Sequence, residues 1–220
     1  MNKQELAKYI DHTLLKANAT KEDVKKLCDE AKKYGFKTVF VHPYNIGYCK
    51  EFLQGTDILV GSVAGFPYGT NSKESKAFEA KDAVSKGAQE IDMVINIGAL
   101  RDKKYDYVYE DVHGVVEACG NVIVKVILET CYLTDEEIVK ASEICAKAGA
   151  AFVKTSTGFA TGGAKVEHVR LMKQAVEGTG CKVKAAGGIR TYEDVMGMIE
   201  AGAERIGTSA GCGIIDGMKD

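Results

Sequence analysis

The stretch that decides the fold of this chain spans residues 122–155 and has the sequence VIVKVILETCYLTDEEIVKASEICAKAGAAFVKT. Its two ends, Val122–Leu128 and Ala151–Thr155, are short runs rich in apolar and β-branched residues, which predicts strands. Between them, Thr134 followed three residues later by Glu137 is the capping-box pattern that opens a helix, and a glycine closes the helical pattern. A strand, a helix and a second strand in this order indicate a βαβ unit with parallel strands.

The same alternation of strand and helix patterns continues to both ends of the chain. Eight runs predict strands, and 220 residues shared among eight units leave about 27 residues for each, near the lower size of a (β/α)8 barrel. No linker marks a boundary, so we expect a single-domain (β/α)8 TIM barrel over residues 1–220; a doubly wound sheet is the alternative. The predicted strands are Tyr9–Thr13, Thr38–His42, Ile58–Ala64, Glu90–Asn96, Val122–Leu128, Ala151–Thr155, Lys182–Ala186 and Glu204–Gly207.

Composition excludes several classes of protein. The chain has 45% hydrophobic and 27% charged residues and a net charge of −2, values of a globular protein rather than a disordered or nucleic-acid-coating one. No run approaches the ~18 apolar residues of a membrane span. Seven cysteines without a CxxC pair and four scattered histidines give no disulfide framework and no metal-site spacing. We therefore expect a cytoplasmic protein without metal, cofactor, nucleic-acid partner or membrane contact.

Charged residues interrupt several strands that should be continuously apolar in a parallel sheet. They are Asp92 in the fourth predicted strand, Lys125 in the fifth, Lys154 in the sixth and Lys184 in the seventh. Side chains alternate between the two faces of a strand, and the face toward the helices must be apolar. We therefore expect these four residues to converge inside the barrel near the carboxyl ends of the strands, where barrel enzymes carry their chemistry.

A lysine inside a barrel is costly in its charged form, and a second ammonium nearby raises that cost further. Both effects favour the neutral amine, which attacks carbonyl carbons and forms a Schiff base. The alternative is a silent network in which the lysines only pair with carboxylates such as Asp92 and Glu129. Three lysines on successive apolar strands favour the catalytic interpretation.

Glycine-rich turns follow the last two predicted strands. Gly187 and Gly188 precede Arg190, and Gly207 precedes Ser209. In (β/α)8 barrels these two loops commonly form a phosphate site, because glycine lets backbone N–H groups approach the anion. A third turn carries Gly158 after the Lys154 strand. The alternative for each glycine is a simple helix cap or chain turn.

Four motifs resemble those of the deoxyribose-phosphate aldolase family, and the similarity extends from about residue 9 to about residue 212. The resemblance implies a class I aldolase on a (β/α)8 barrel that uses no metal. It implies reversible cleavage of 2-deoxy-D-ribose 5-phosphate to D-glyceraldehyde 3-phosphate and acetaldehyde, in deoxynucleoside catabolism. The motifs are Tyr9–Lys16 (YIDHTLLK), Glu90–Asn96 (EIDMVIN), Phe152–Gly158 (FVKTSTG) and Val183–Arg190 (VKAAGGIR).

By the same resemblance, Lys154 is the Schiff-base lysine, Lys184 keeps it neutral, and Asp92 moves protons through water. The resemblance implies a phosphate site at Gly187, Gly188, Gly207 and Ser209, to which the loop argument adds Gly158 and Arg190. The polar groups expected near the site, in contact with substrate or behind it, are Asp11, Thr13, Lys125 and Glu129.

The chain departs from the pattern at two places. Some members have a lysine that reaches the phosphate where this chain has Phe159, and some end in a tyrosine that this sequence lacks. Two other functions stay open: a Schiff-base barrel aldolase or transaldolase acting on a ketose phosphate, or a phosphosugar-binding protein without catalysis. The expected partner is a phosphorylated sugar, with a homodimer as the candidate assembly.

Overall fold

Eight parallel strands form a closed barrel in the order of the chain, and the last strand pairs with the first. A computed structural model describes residues 1–218; Lys219 and Asp220, the end of the predicted domain, lie outside the described residues. The closed order confirms the barrel and excludes the doubly wound sheet. The strands are β1 Ile10–Leu14, β2 Thr38–Val41, β3 Leu59–Ala64, β4 Glu90–Val94, β5 Ile123–Ile127, β6 Phe152–Lys154, β7 Lys182–Ala186 and β8 Arg205–Thr208.

After α1 (Lys3–Ala7), which precedes the first strand, helices alternate with the strands and form the outer layer. The side chains of Thr20, Thr134 and Thr191 each accept a hydrogen bond in a complete capping box, and the box at Thr134 is the one that the sequence pattern predicted. The helices are α1 Lys3–Ala7, α2 Lys21–Tyr34, α3 Ile46–Phe52, α4 Lys73–Ser85, α5 Ile97–Arg101, α6 Tyr105–Cys119, α7 Asp135–Lys147, α8 Val166–Ala175, α9 Tyr192–Glu200 and α10 Gly211–Asp216.

The main hydrophobic core lies between the strands and the helices. Ile91 and Met93 of β4 and Val126 of β5 belong to it and are fully buried. Because side chains alternate along a strand, the residues between them, Asp92 and Lys125, point the other way, toward the barrel axis. The two layers of packing thus separate an apolar shell from a polar interior. Within residues 1–218, no helix combines the length and the apolar character needed to cross a membrane.

Candidate active site

Four charged side chains from adjacent strands meet inside the barrel. In the sheet register, Asp92 lies opposite Lys125, and Lys154 lies opposite Lys184. All four are at most 4% exposed. The structure therefore brings together the residues that the strand pattern places on the inward face.

Asp92 is the shared acceptor of this cluster. Its Oδ2 accepts hydrogen bonds from Lys154 Nζ and Lys184 Nζ, both at 2.8 Å, and its Oδ1 accepts one from Lys125 Nζ at 3.2 Å. Burial by itself would raise the pKa of Asp92, but the three ammonium groups outweigh it and hold the pKa well below its usual range. The carboxylate is therefore ionised and bridges all three lysines.

The surroundings of Lys184 bring its pKa close to neutral pH. Burial lowers the pKa of Lys184 to about 8, and the neighbouring Lys154 and Lys125 add to the effect against the opposing Asp11 and Asp92. Its Nζ lies 2.5 Å from Asp11 Oδ2 as well as contacting Asp92. An amine with a pKa near the working pH can both give and take a proton during a reaction.

Two charged residues that the sequence analysis did not select complete the buried network. Arg205 on β8 donates to Asp11 Oδ1 (2.6 Å) and to Glu90 Oε1 (3.0 Å), and Lys125 also pairs with Glu90. These pairs compensate the desolvation of charges that would otherwise be strongly destabilising. A sequence signal existed for Glu90, since it lies two residues before Asp92 and so shares its inward face.

Phe40 is a third residue that the sequence analysis missed. Its ring centroid lies 4.0 Å from Lys184 Nζ and 4.5 Å from Lys125 Nζ. Gly61 on β3 leaves room for the ring, because a Cβ there would lie 2.4 Å from Phe40 Cζ. The π face of Phe40 favours the ammonium forms of both lysines, so it opposes the effect of burial on Lys184.

A cavity of about 670 Å³ opens at the carboxyl ends of the strands. Of the three lysines, Lys154 is the one that lines it, whereas Lys125 and Lys184 lie in the fully buried network beneath. Among the three lysines of the buried cluster, depth in the barrel therefore singles out Lys154 as the amine that a substrate can reach. The sequence-selected residues that line the same cavity are Thr13, Lys154, Gly158, Gly187, Gly188, Arg190, Gly207 and Ser209.

The glycine loops meet along one wall of this cavity. Gly187 and Gly188 have φ values of +88° and +78°, the left-handed region that glycine adopts without strain. Gly163 packs directly against them, since a Cβ there would lie 2.3 Å from the carbonyl oxygen of Gly187. The exposed Ser209 and Arg190 side chains complete the wall with a hydroxyl and a positive charge.

The hydrogen bonds of Glu129 go to Thr157 rather than to the buried lysines. Glu129 follows β5 in a left-handed conformation (φ +55°), and it accepts hydrogen bonds from the backbone N and the hydroxyl of Thr157. Burial raises the pKa of Glu129, with the hydrogen bonds from Thr157 and the charge of Lys154 opposing. Glu129 thus anchors the turn that carries Gly158 and Phe159, while Asp11 and Glu90 pair with the lysines.

Phe159, one of the two departures from the family pattern noted above, lines the cavity. Its side chain is 54% exposed and packs edge-on against Phe66 at 5.3 Å between ring centroids. This part of the wall is therefore apolar. The cationic side chains that line the cavity besides Lys154 are Lys16, Lys26 and Arg190.

A (β/α)8 barrel with a reachable lysine, a second lysine below it and glycine loops along the same cavity defines the class of lysine-dependent barrel aldolases. The family profile described as DeoC/LacD family aldolase matches residues 5–219 of the sequence. The chain belongs to this family.

Curated relatives share most of the sequence. The chain is 58% identical over 224 residues to the deoxyribose-phosphate aldolase of Thermococcus kodakarensis, with full coverage of both chains. It is 59% identical over 216 residues to the enzyme of the same name from Clostridium tetani, covering 98% of this chain and 100% of the other.

Solved structures agree with the fold. The tetrameric deoxyribose phosphate aldolase of Aeropyrum pernix superimposes with a TM-score of 0.91 at 34% identity, covering 98% of this chain and 91% of that one. The sialic acid aldolase of Ruminococcus gnavus, at 16% identity and a TM-score of 0.65 over 93% of this chain and 69% of that one, shares the fold alone.

Replacement of Phe40 tests the cation–π contact. In Phe40→Leu, we expect the pKa of Lys184 to fall below about 8 by roughly one unit, because a desolvated cation–π contact is worth about 1–2 kcal/mol. NMR titration of ¹³C-labelled lysine side chains measures the shift. Phe152→Leu is the matched control, since that ring faces Lys125 and Arg205. An equal fall in both variants would contradict the assignment.

Proposed function

We propose that this protein is an aldolase that cleaves 2-deoxy-D-ribose 5-phosphate reversibly to D-glyceraldehyde 3-phosphate and acetaldehyde through a Schiff base on Lys154. The observation that carries the proposal is the position of Lys154, which lines a cavity shared with the glycine loops while it hydrogen-bonds to a buried carboxylate. The names of the curated relatives support the choice of substrate.

The charge balance of the buried cluster supports a neutral amine. The hydrogen-bonded groups comprise the cations Lys125, Lys154, Lys184 and Arg205 against the carboxylates Asp11, Glu90 and Asp92. Four positive groups exceed three negative ones, and an excess buried charge is costly at low dielectric. Release of one ammonium proton makes the cluster neutral. Lys184 and Lys154 compete for the same oxygen of Asp92, which favours this release.

The chemical steps follow from a neutral Lys154. Its Nζ attacks C1 of the open-chain sugar, and loss of water from the carbinolamine gives an iminium. Removal of the C3 hydroxyl proton then turns C3 into an aldehyde, and the electrons of the C2–C3 bond move to the iminium nitrogen. D-Glyceraldehyde 3-phosphate leaves, and protonation of the remaining enamine at C2 followed by hydrolysis releases acetaldehyde.

We assign the proton transfer to Lys184 and Asp92 acting together through ordered water. Asp92 alone is a weak base because three ammonium groups surround it. Lys184, with a pKa of about 8, is suited to accept the C3 hydroxyl proton and to return it to C2. Its contacts with Asp11 and Asp92 hold its amino group in place.

The phosphate end of the substrate is assigned to the wall formed by Gly187, Gly188, Gly207 and Ser209, with Arg190 adding charge. Backbone N–H groups at such glycine turns bind anions without side-chain strain. Phe159 supplies no charge here, so this wall must bind the phosphate without the lysine of some relatives. Binding energy from the phosphate also positions C1 near Lys154, which raises the rate as well as the affinity.

We also propose a homo-oligomer in a reducing cytoplasm. A homodimer is the assembly expected from the sequence, and the relative from Aeropyrum pernix is described as tetrameric. All seven cysteines are free thiols, which suits a compartment where thiols stay reduced.

Borohydride trapping tests whether Lys154 is the nucleophile and whether acetaldehyde is the donor substrate. With acetaldehyde and borohydride, we expect a reduced adduct on the Lys154 peptide of the parent protein and none in Lys154→Leu, detected by mass spectrometry. Lys182→Leu is the control. Lys182 shares a face of β7 with Lys184, but it is exposed, so its replacement should leave the adduct on Lys154 unchanged. Trapping by dihydroxyacetone in place of acetaldehyde would favour a ketose-phosphate aldolase, and no trapping by either would favour a binding protein.

Replacement of Lys184 tests whether the excess of buried positive charge favours a neutral amine. In Lys184→Leu the cluster keeps three cations for three carboxylates. The charge excess that favours release of an ammonium proton is then gone, and we expect slower Schiff-base formation at neutral pH. In the parent, neutral Lys184 becomes available as pH rises through about 8, so the cleavage rate should rise there and this ionisation should vanish in the variant. An unchanged pH–rate profile would remove Lys184 from the mechanism.

Ser209→Ala tests the phosphate wall. A hydrogen bond to a charged group contributes about 1.5–3 kcal/mol, so we expect kcat/KM for 2-deoxyribose 5-phosphate to fall by about tenfold or more. The same ratio for unphosphorylated 2-deoxyribose should stay nearly constant, because that substrate makes no contact with the wall. Equal losses for both substrates would place the phosphate elsewhere.

A further inference from the structure

A second group of reactive side chains lies behind the barrel wall, outside the lysine cluster. His12 on β1, Glu30 on α2 and Cys212 on α10 place their ligand atoms within 4.8 Å of one another. His12 Nε2 lies 2.7 Å from Glu30 Oε2. The three residues come from distant parts of the sequence, so no motif spacing reveals them.

We propose that His12 Nε2, the Glu30 carboxylate and Cys212 Sγ form a binding site for a divalent transition metal of the zinc type. The Cys212 thiol releases its proton to water when the metal binds. Imidazole nitrogen, carboxylate oxygen and thiolate sulfur are the three donors that zinc prefers. Three protein ligands leave a fourth position for water or another small ligand. The chemical steps of the aldolase reaction do not pass through this site.

The observed separations suit a tetrahedral metal after small side-chain movements. Zinc bonds of about 2.0–2.3 Å place neighbouring ligand atoms roughly 3.3–3.7 Å apart, inside the 2.7–4.8 Å range seen here. His12 is the fixed member, since it is 2% exposed and packs against the ring of Phe36. Glu30 and Cys212 are partly exposed and can adjust.

The other nitrogen of His12 supports the assignment. Nδ1 is buried, and the backbone of Thr208 is a hydrogen-bond partner of the ring. Thr208 is the partner of His12 in the β1–β8 register, and its backbone lies beside the ring. A metal-bound imidazole carries its proton on the second nitrogen and directs it toward such a backbone group.

Solvent and ions have a path to the site. His12 and Glu30 line the side wall of the 670 Å³ cavity, next to the loop that carries Ser209. Cys212 lies in the first turn of α10, three residues after Ser209. A bound metal would connect α2 to α10 and thus fix the end of the phosphate loop.

Cobalt titration tests the proposal, because Co²⁺ replaces zinc and reports its ligands by colour. The metal-free protein, kept reduced with a phosphine, is titrated with cobalt chloride. We expect one equivalent to produce the visible bands of a tetrahedral site and a near-ultraviolet thiolate-to-cobalt charge-transfer band. Added zinc chloride should displace the cobalt and remove both the visible bands and the charge-transfer band. Cys212→Ser should abolish the charge-transfer band, and Glu30→Gln should weaken cobalt binding at least tenfold.

Cys131→Ser is the matched control, since Cys131 is the other partly exposed cysteine of the described residues, and it should retain the full spectrum. Both ligand substitutions fall at partly exposed positions, and circular dichroism verifies that the variants fold. Absence of the charge-transfer band at one equivalent in the parent, its persistence in Cys212→Ser, or its loss in Cys131→Ser overturns the proposal.

Discussion

The bond between one buried carboxylate and three lysine ammonium groups is the interaction on which the polar interior of this barrel depends. Asp92 alone contacts Lys125, Lys154 and Lys184. Without it, three like charges would face one another away from water, a cost of several kcal/mol for each ion. The surrounding carboxylates and Arg205 extend the same compensation into the barrel floor, so the charged interior is a connected network rather than a set of isolated pairs.

The three lysines are chemically identical, but they lie at different depths in this network and therefore have different roles. Lys125 is fully buried; burial lowers its pKa, but Asp92, Asp11 and Glu90 outweigh that effect and raise it, so it remains a fixed cation. Lys184 lies beside the ring of Phe40 and has a pKa of about 8. Lys154 reaches the cavity. The same side chain thus acts as a structural charge, a proton carrier or a nucleophile according to its neighbours and its access to substrate.

The loops around the cavity are held by contacts outside the lysine cluster. Glu129 holds the Thr157 turn, and Gly163 packs against Gly187, so two loops are fixed by contacts that involve no lysine. The cluster of His12, Glu30 and Cys212 lies on the opposite side of the β1 backbone from Asp11. The two sides of one strand therefore carry two different kinds of polar chemistry, because successive side chains point to opposite faces.

Most of the fold was predictable from the sequence, since strand alternation and helix caps are local signals. All eight strands lie within two residues of their predicted bounds, and the inward positions of Asp92, Lys125, Lys154 and Lys184 follow from a period of two. The same period of two places Glu90 on the inward face, although the sequence analysis did not select it. The contacts of Phe40 and Arg205 depend on which strands become neighbours, so no local pattern contains them.

The sequence by itself determined the strands, the helices and the charged face of each strand, because these depend on residues close together in the chain. Only the tertiary structure decided which lysine reaches the cavity, which carboxylates neutralise the others and which residues meet behind β1. Those outcomes depend on closure of β8 onto β1 and on the packing of α2 and α10, and burial depth is a property of the whole assembled barrel.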